Sequence, residues 1–176
     1  NSDKSGVIFS VNPVTHKDIM IEAVYGQGEG IVSGQIKPDE YMVSDEFELL
    51  DKKISNKKIA IVRNAGGQTK TVQLKPEIST SQVLKTHEIN ELAEFAKKLE
   101  KHYEKPQDIE FSIEDDEIYI LQTRAITTLG NKQEHQELTG QVLTEGLAAS
   151  PGVASGIVKI VKSMDDLPKI KKGDVM

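Results

Sequence analysis

The apolar and polar positions in the first half of the chain follow the short period that is typical of β-strands. Alternation and short apolar runs predict four strands, at residues 6–9, 19–24, 59–62 and 70–74. Asn12 and Pro13 supply a turn between the first two strands, and the glycine-containing segment 64–67 supplies one between the last two. Because short turns join antiparallel neighbours, this region is predicted to form a mostly antiparallel sheet.

The period changes to that of an amphipathic helix over residues 86–103. Six apolar positions fall on one helical face: Ile89, Leu92, Ala93, Ala96, Leu99 and Tyr103. Glu88 lies near the N-terminal end, where a negative charge is favourable, and Pro106 ends the segment. The apolar face predicts that this helix covers one side of the sheet.

A second hairpin is predicted after the helix. Apolar positions alternate with polar ones over residues 109–113, residues 115–117 form a polar reversal, and residues 118–124 form the returning strand. A three-residue loop predicts three cross-strand pairs: Ile113 with Tyr119, Phe111 with Leu121 and Glu110 with Gln122. A two-residue loop would place Glu110 and Gln122 on opposite faces, since side chains alternate along a strand. Any function that needs both side chains therefore depends on register.

Glu110, Gln122 and Arg124 form a candidate metal and phosphate site on the three-residue register. Carboxylate and amide oxygens are hard ligands of the kind that Mg²⁺ shares with substrate phosphates. Arg124 lies on the same face as Gln122, and its planar, permanently charged guanidinium suits phosphate oxygens. The alternative is a solvated hairpin face whose glutamate and arginine make an exposed ion pair that contributes little.

Composition excludes several other classes of protein. The 176 residues carry a formal net charge of −6, whereas a protein that binds nucleic-acid backbones needs a basic surface. The chain has no cysteine, which excludes a disulfide framework and a thiolate metal site. It has no apolar stretch long enough to span a bilayer and no recognisable signal peptide. Neither nucleic acid nor a membrane is therefore expected as a partner.

The segment from Ile109 to Arg124 resembles the ATP-binding domain of the phosphoenolpyruvate synthase and pyruvate phosphate dikinase family, in which Glu, Gln and Arg recur at this spacing. Other segments resemble the family in the same order, at residues 5–13, 22–29, 32–34, 37–41 and 146–156. The last of these is similar to the opening of the family's phosphohistidine domain. The resemblance covers nearly the whole chain and is weakest over about residues 45–105.

The resemblance implies an α+β fold, in which a largely antiparallel sheet is covered by a helix as in an ATP-grasp-like subdomain. Residues 1–126 would form the C-terminal part of the ATP-binding domain, residues 127–140 a polar linker, and residues 141–176 the incomplete, β-rich start of a swivelling phosphohistidine domain. The chain begins at Asn1 without a methionine, so a piece of a longer enzyme is expected. The basic half of the nucleotide cleft would precede it, and the carrier histidine would follow residue 176.

The resemblance also assigns roles to four side chains. Glu110 and Gln122 would hold Mg²⁺ together with the ATP phosphates, and Arg124 would contact a phosphate and stabilise the charge that develops during transfer. Glu29, in a glycine-flanked stretch, is either a further nucleotide contact or part of an ordinary turn. None of the four histidines stands at the start of a helix of small residues, as the family's carrier histidine does.

The activity implied by the resemblance is phosphoryl transfer from Mg–ATP to a carrier histidine and then to pyruvate, which gives phosphoenolpyruvate, AMP and phosphate. ATP, pyruvate and the remaining domains of the parent enzyme are the expected partners, the cytoplasm is the expected location, and the segment alone is expected to be inactive. Residues 37–41 resemble the synthase more than the dikinase. Two alternatives stay open, a rifampin-type antibiotic phosphotransferase and a non-catalytic ATP-binding module.

Overall fold

A six-stranded antiparallel sheet carries every site residue that the sequence predicts except Glu29. The computed structural model describes residues 2–64, 66–127, 155–160 and 169–175, and the chain divides into two compact units, residues 1–130 and 131–176. The strands are β1 (Lys4–Phe9), β2 (Ile19–Tyr25), β3 (Asp39–Val43), β4 (Leu49–Lys53), β5 (Ile59–Arg63), β6 (Thr69–Gln73), β7 (Gln107–Glu114), β8 (Glu117–Ala125), β9 (Ile157–Val158) and β10 (Asp174–Val175). The helices are α1 (Glu29–Val32), α2 (Pro76–Ser79) and α3 (Thr86–Tyr103).

The strand order of the large sheet is β4-β3-β2-β1-β7-β8, and every neighbouring pair is antiparallel. Strands β5 and β6 form a separate antiparallel hairpin. The prediction of an α+β fold with a mostly antiparallel sheet and few helices is confirmed. The sequence interpretation did not identify β3, β4, α1 or α2.

Helix α3 packs on one face of the sheet and spans the residues that its apolar period predicts. The main hydrophobic cluster joins the helix to the sheet and includes Ile8, Ile21, Tyr41, Leu92, Ala96, Ile109 and Phe111. The start of the helix is held by Glu88, whose carboxylate accepts hydrogen bonds from the Lys4 ammonium at 2.6 and 2.8 Å and from the Lys85 backbone N–H at 2.6 Å. This buried carboxylate connects α3 to β1.

The opposite face of the sheet carries a much smaller apolar cluster of Val24, Ile36 and Ile61, with Ile31 and Ile59 packed against it. Strand β5 is brought there by Gly26, whose positive φ of 76° suits glycine and whose added Cβ would lie 2.2 Å from the Ile61 carbonyl oxygen. The Gln27 backbone N–H donates to the same carbonyl at 2.7 Å. The β5–β6 hairpin is therefore fixed beside the loop that precedes α1.

The β7–β8 hairpin differs from the predicted register at its turn. Its loop has two residues, Asp115 and Asp116, and both have a positive φ. The predicted pairs Ile113 with Tyr119 and Phe111 with Leu121 are wrong, because the loop is one residue shorter than expected: Ile113 faces Ile118 and Phe111 faces Ile120. A β-bulge then shifts the register between Glu110 and Phe111, so that Glu110 does face Gln122. The extra residue of the bulge is Leu121, which has no partner in the register.

Asp39, the first residue of β3, is the centre of a buried polar network. Its carboxylate forms a fully buried ion pair with the Lys57 ammonium and accepts a hydrogen bond from the Val83 backbone N–H at 2.9 Å. It also accepts from the Ser55 backbone N–H at 2.9 Å and from the Tyr41 hydroxyl at 3.2 Å. Within the family-like segment 37–41, this aspartate therefore holds two loops against β3.

The second unit is described over residues 155–160 and 169–175. Strands β9 and β10 pair in parallel within it. The predicted linker at 127–140 lies outside the described residues, apart from Thr127. In the described part of the chain, none of the helices combines the length and the apolar character that a membrane crossing requires.

Candidate functional site

A row of five side chains, four of them polar, crosses the sheet on the face opposite α3. The strand registers align Gln122 on β8, Glu110 on β7, Val7 on β1, Glu22 on β2 and Glu40 on β3. Directly paired residues of antiparallel strands point to the same face, so all five share it. Glu110 and Glu22 are two strands apart, which corresponds to about 10 Å.

Glu110 and Gln122 are direct cross-strand neighbours, so their Cβ atoms are about 5 Å apart. Neither side chain makes a hydrogen bond or an ion pair with the described residues, and Glu110 is partly buried whereas Gln122 is exposed. Their oxygens are therefore available to an external ligand. Among the described residues, Glu110 does not form the alternative ion pair with Arg124, whose guanidinium is bound to Asp108 instead.

Glu110 lines a cleft of about 630 Å³ whose walls include residues of β1, β7, β8 and α1. The lining includes Val7, Gln27, Glu29, Arg63, Glu110 and Leu121. A cleft of this volume is within the usual range for small-molecule sites. The structure thus brings Glu29 and Glu110 together from distant parts of the sequence.

Glu29 is exposed and is the first residue of α1. Its backbone carbonyl accepts hydrogen bonds from the Ser33 backbone N–H at 3.0 Å and from the Ser33 hydroxyl at 2.7 Å. Its carboxylate makes no hydrogen bond within the described residues. Gly28 leads into the helix, and Glu29 is among the residues that line the cleft. The nucleotide contact by Glu29 stays a prediction.

Arg124 is held beside the row rather than inside the cleft. Its guanidinium Nε and Nη2 donate to Asp108 Oδ2 at 2.8 and 2.7 Å, and Asp108 is its direct partner across β7–β8. The Asp108 carboxylate raises the pKa of Arg124, with a smaller contribution from Glu110. Arg124 lines a separate cavity of about 300 Å³ with Tyr103 and Lys105. Glu110, Gln122 and Arg124 are thus neighbours on one hairpin face, but Arg124 is already engaged by a carboxylate.

The sequence interpretation missed three residues of this region as site residues: Arg63, Asp108 and Glu22. Asp108 stands two positions before Glu110 and so shares its face, which is a signal that alternation alone provides. Glu22 requires the register of β1 and β2. Burial raises the pKa of the Glu22 carboxyl, and the neighbouring Glu40 and Asp108 carboxylates raise it further. Arg63 comes from a separate hairpin, and only the tertiary structure brings it to the cleft.

The donor set fits a shared rather than an enclosed cation site. Among the described residues, no group of three or more histidine, aspartate and glutamate side chains is arranged to hold a metal ion. Glu110 and Gln122 offer two oxygens, and Mg²⁺ commonly takes its other ligands from phosphates and water. A metal bound here would therefore depend on a phosphate ligand.

Comparison with known proteins identifies the family. The family described as pyruvate phosphate dikinase, AMP/ATP-binding domain, matches residues 1–144. The chain belongs to this family. Membership supports nucleotide binding by the unit that contains the cleft.

Relatives with curated names match the family assignment. The probable phosphoenolpyruvate synthase of Methanocaldococcus jannaschii is 40% identical over 100% of this chain and 16% of its own length. The phosphoenolpyruvate synthase of Pyrococcus furiosus is 39% identical over 100% of this chain and 23% of its own length. An uncharacterized phosphotransferase of Bacillus subtilis is 40% identical over 78% of this chain and 17% of its own length. The chain thus spans less than a quarter of the length of each of these three relatives.

Proposed function

We propose that this chain supplies one wall of the Mg–ATP site of a phosphoenolpyruvate synthase. The observation that carries the proposal is the direct pairing of Glu110 with Gln122, with Glu110 opening into the cleft. The whole enzyme would use ATP to phosphorylate a carrier histidine and then pyruvate, forming phosphoenolpyruvate, AMP and phosphate. Such a reaction would take place in the cytoplasm.

Each polar side chain would have a distinct task. The Glu110 carboxylate and the Gln122 amide oxygen would hold Mg²⁺ beside the phosphates. When bound, the metal neutralises the crowded phosphate charge. Arg124 would contact a phosphate oxygen and stabilise the charge that develops as the phosphoryl group leaves. Asp108 would keep the Arg124 guanidinium on the face that Gln122 shares, and Glu29 would contact the nucleotide from α1.

The remaining parts of the reaction require chain beyond the wall described here. Residues 1–126 would be the ATP-grasp-like part of the nucleotide-binding domain, and residues 141–176 would begin a phosphohistidine domain that swings on the linker 127–140. Because the three relatives named above are more than four times longer than the matched region, residues 1–176 alone are expected to be inactive in phosphoryl transfer.

The substitution Glu110→Gln in the full-length protein tests this proposal. Loss of the carboxylate removes a charged Mg²⁺ ligand, so the affinity for Mg–ATP is expected to fall by roughly ten- to hundredfold. Binding of adenosine, which carries no phosphate, is expected to stay the same. Isothermal titration calorimetry measures both affinities, and phosphate release with pyruvate measures turnover.

Glu117→Gln is the matched control, because it makes the same chemical change at the turn end of the same hairpin. It is expected to retain the affinity for Mg–ATP within a factor of about two. Equal Mg–ATP affinities for the Glu110→Gln and unsubstituted proteins would show that Glu110 does not hold the metal.

A phosphotransferase with another acceptor is the second candidate, supported by the match to the uncharacterized Bacillus subtilis phosphotransferase. A rifampin-type antibiotic kinase belongs to this class. The two candidates differ in the compound that makes ATP consumption rise: pyruvate for the synthase, and the antibiotic for the rifampin-type enzyme. Mg–ATP binding without turnover on either compound would instead indicate a non-catalytic module.

A further inference from the structure

Arg63 lies where one face of the β5–β6 hairpin leaves the apolar cluster and reaches the cleft. Ile59, Ile61 and Arg63 share that face, because alternate residues of a strand point the same way. Ile61 is buried in the small cluster and Ile59 packs against it. Arg63, the next position on the face, lines the 630 Å³ cleft. This face of β5 is thus apolar within the small cluster and positively charged at the cleft.

The attachment of β5 to the rest of the first unit fixes where Arg63 emerges. The Ile61 carbonyl oxygen accepts the Gln27 backbone N–H at 2.7 Å, and Gly26 forms a bridge to Ile61. Arg63 follows Ile61 by two residues on β5, and its partner across the hairpin is Thr69 on β6. The guanidinium therefore starts from a strand that is hydrogen-bonded to the glycine loop beside Glu29.

The charges around the cleft leave Arg63 without a carboxylate of its own. Among the described residues that line the cleft, the charged ones are Glu29, Arg63 and Glu110. Arg63 makes no hydrogen bond or ion pair with any described residue, whereas Arg124 is bound to Asp108. A guanidinium is always charged at physiological pH and presents a fork that matches phosphate oxygens. Among the described residues that line the cleft, Arg63 is therefore a cation that is not paired with a carboxylate.

We propose that Arg63 binds phosphate oxygens of the nucleotide in this cleft, which Glu110 also lines. The inference rests on the proposed function, because it takes a Mg-nucleotide as the ligand. A phosphate chain that enters between Glu29 and Glu110 meets two negative charges, which Mg²⁺ and Arg63 together offset. Arg63 would thus set the preference of the cleft for phosphorylated over unphosphorylated nucleosides.

Calorimetric titrations of the full-length protein with Mg–ATP and with adenosine test the role of Arg63. Arg63→Gln is expected to weaken Mg–ATP binding by about ten- to hundredfold, the effect of losing a charge-assisted hydrogen bond, and to leave adenosine binding within twofold. The Mg–ATP affinity of Arg63→Lys is expected to lie between those of the unsubstituted and Arg63→Gln proteins, because lysine keeps the charge and loses the planar fork.

Lys70→Gln is the matched control. Lys70 lies on β6 opposite Val62, so it points away from the face that carries Arg63, and its loss changes the net charge by the same amount. It is expected to change the Mg–ATP affinity less than twofold. If Arg63→Gln and Lys70→Gln weaken Mg–ATP equally, the effect is one of net charge, and the proposal is overturned.

The outcomes separate this proposal from the proposed function. Unchanged Mg–ATP binding by Arg63→Gln, in a protein where Glu110→Gln weakens it, overturns the role of Arg63 alone. Equal losses of Mg–ATP and adenosine affinity would mean that Arg63 supports the cleft or contacts the nucleoside, which also overturns it. An unsubstituted protein that does not bind Mg–ATP overturns both proposals.

Discussion

Glu22 is the carboxylate whose surroundings most directly link protonation to stability. It lies on β2 within the polar row, and burial together with Glu40 and Asp108 raises its pKa. A carboxyl whose pKa is higher in the folded than in the unfolded state favours folding when it is protonated. That contribution is fully present below the unfolded pKa and is lost as the pH rises through the folded pKa. Ionised Glu22 therefore opposes folding at neutral pH.

Glu22→Gln is accordingly expected to raise the melting temperature at pH 7. The advantage over the unsubstituted protein should shrink on acidification and disappear below about pH 4, where the glutamate is protonated in both states. Thermal unfolding followed by circular dichroism between pH 3 and 8 measures this difference. Glu91→Gln, on the exposed side of α3, serves as the control and should show little pH-dependent difference. A constant advantage at every pH would attribute the effect to packing rather than charge.

The pairing of Glu110 with Gln122 could be proposed from sequence, but the reason for it could not. The expected route was a three-residue loop, whereas the structure uses a two-residue loop and a bulge at Leu121. Residues 118–121 are all hydrophobic, so no break in alternation marks Leu121 as the bulge in the sequence. Arg63 gave no signal either, since its place depends on contacts between residues distant in sequence.

Substitutions in the tight β7–β8 turn are expected to raise the stability of the fold. Asp115 and Asp116 have φ angles of 52° and 63°, values that favour Asn-Gly in a two-residue hairpin loop. The double change Asp115→Asn with Asp116→Gly is expected to raise the free energy of unfolding by about 0.5–1 kcal/mol. Loss of the exposed Lys85–Asp116 ion pair should cost little of this gain. Urea unfolding measures the change.

Asp116→Ala is the informative companion variant for the turn. It removes the same ion pair but keeps a Cβ at a left-handed position, so it is expected to lower stability. Equal effects of Asp116→Ala and the double substitution would argue against a two-residue loop with positive φ at both positions.

Elements with a strong internal pattern were predictable, and those defined by their neighbours were not. Helix α3 has a full apolar stripe and a proline after it, and the β5–β6 hairpin has glycines in its turn. By contrast, all five residues of β4 are exposed and show no alternation, so nothing in its own sequence marks it as a strand. It exists because β3 offers a free edge, which is a property of the sheet.

The two faces of the large sheet are packed against very different amounts of apolar structure, and the candidate site lies on the less covered face. In the described part of the first unit, the face under α3 contributes to a cluster of fifteen buried hydrophobic residues, whereas the cluster on the other face has three. The thin cover leaves room for the polar row and the cleft. Ligand binding on this face should therefore stabilise the fold appreciably, because a bound ligand supplies contacts that the chain itself does not.

Mg²⁺ removal tests this coupling for the protein as a whole. A ligand that binds only the folded state at about 100 times its dissociation constant stabilises it by roughly 2.7 kcal/mol, which corresponds to a rise in melting temperature of roughly 10 °C for a unit of this size. We expect Mg–ATP to produce such a rise and EDTA to abolish most of it, because Glu110 and Gln122 would then face the phosphates without a cation. Differential scanning fluorimetry with ATP, Mg²⁺ and EDTA measures the effect.

Two variants serve as controls for this measurement. Glu110→Gln should lose the Mg²⁺-dependent part of the rise in melting temperature, and Glu117→Gln should keep it. An ATP-induced rise that EDTA leaves intact would mean that the nucleotide binds without a metal at this wall.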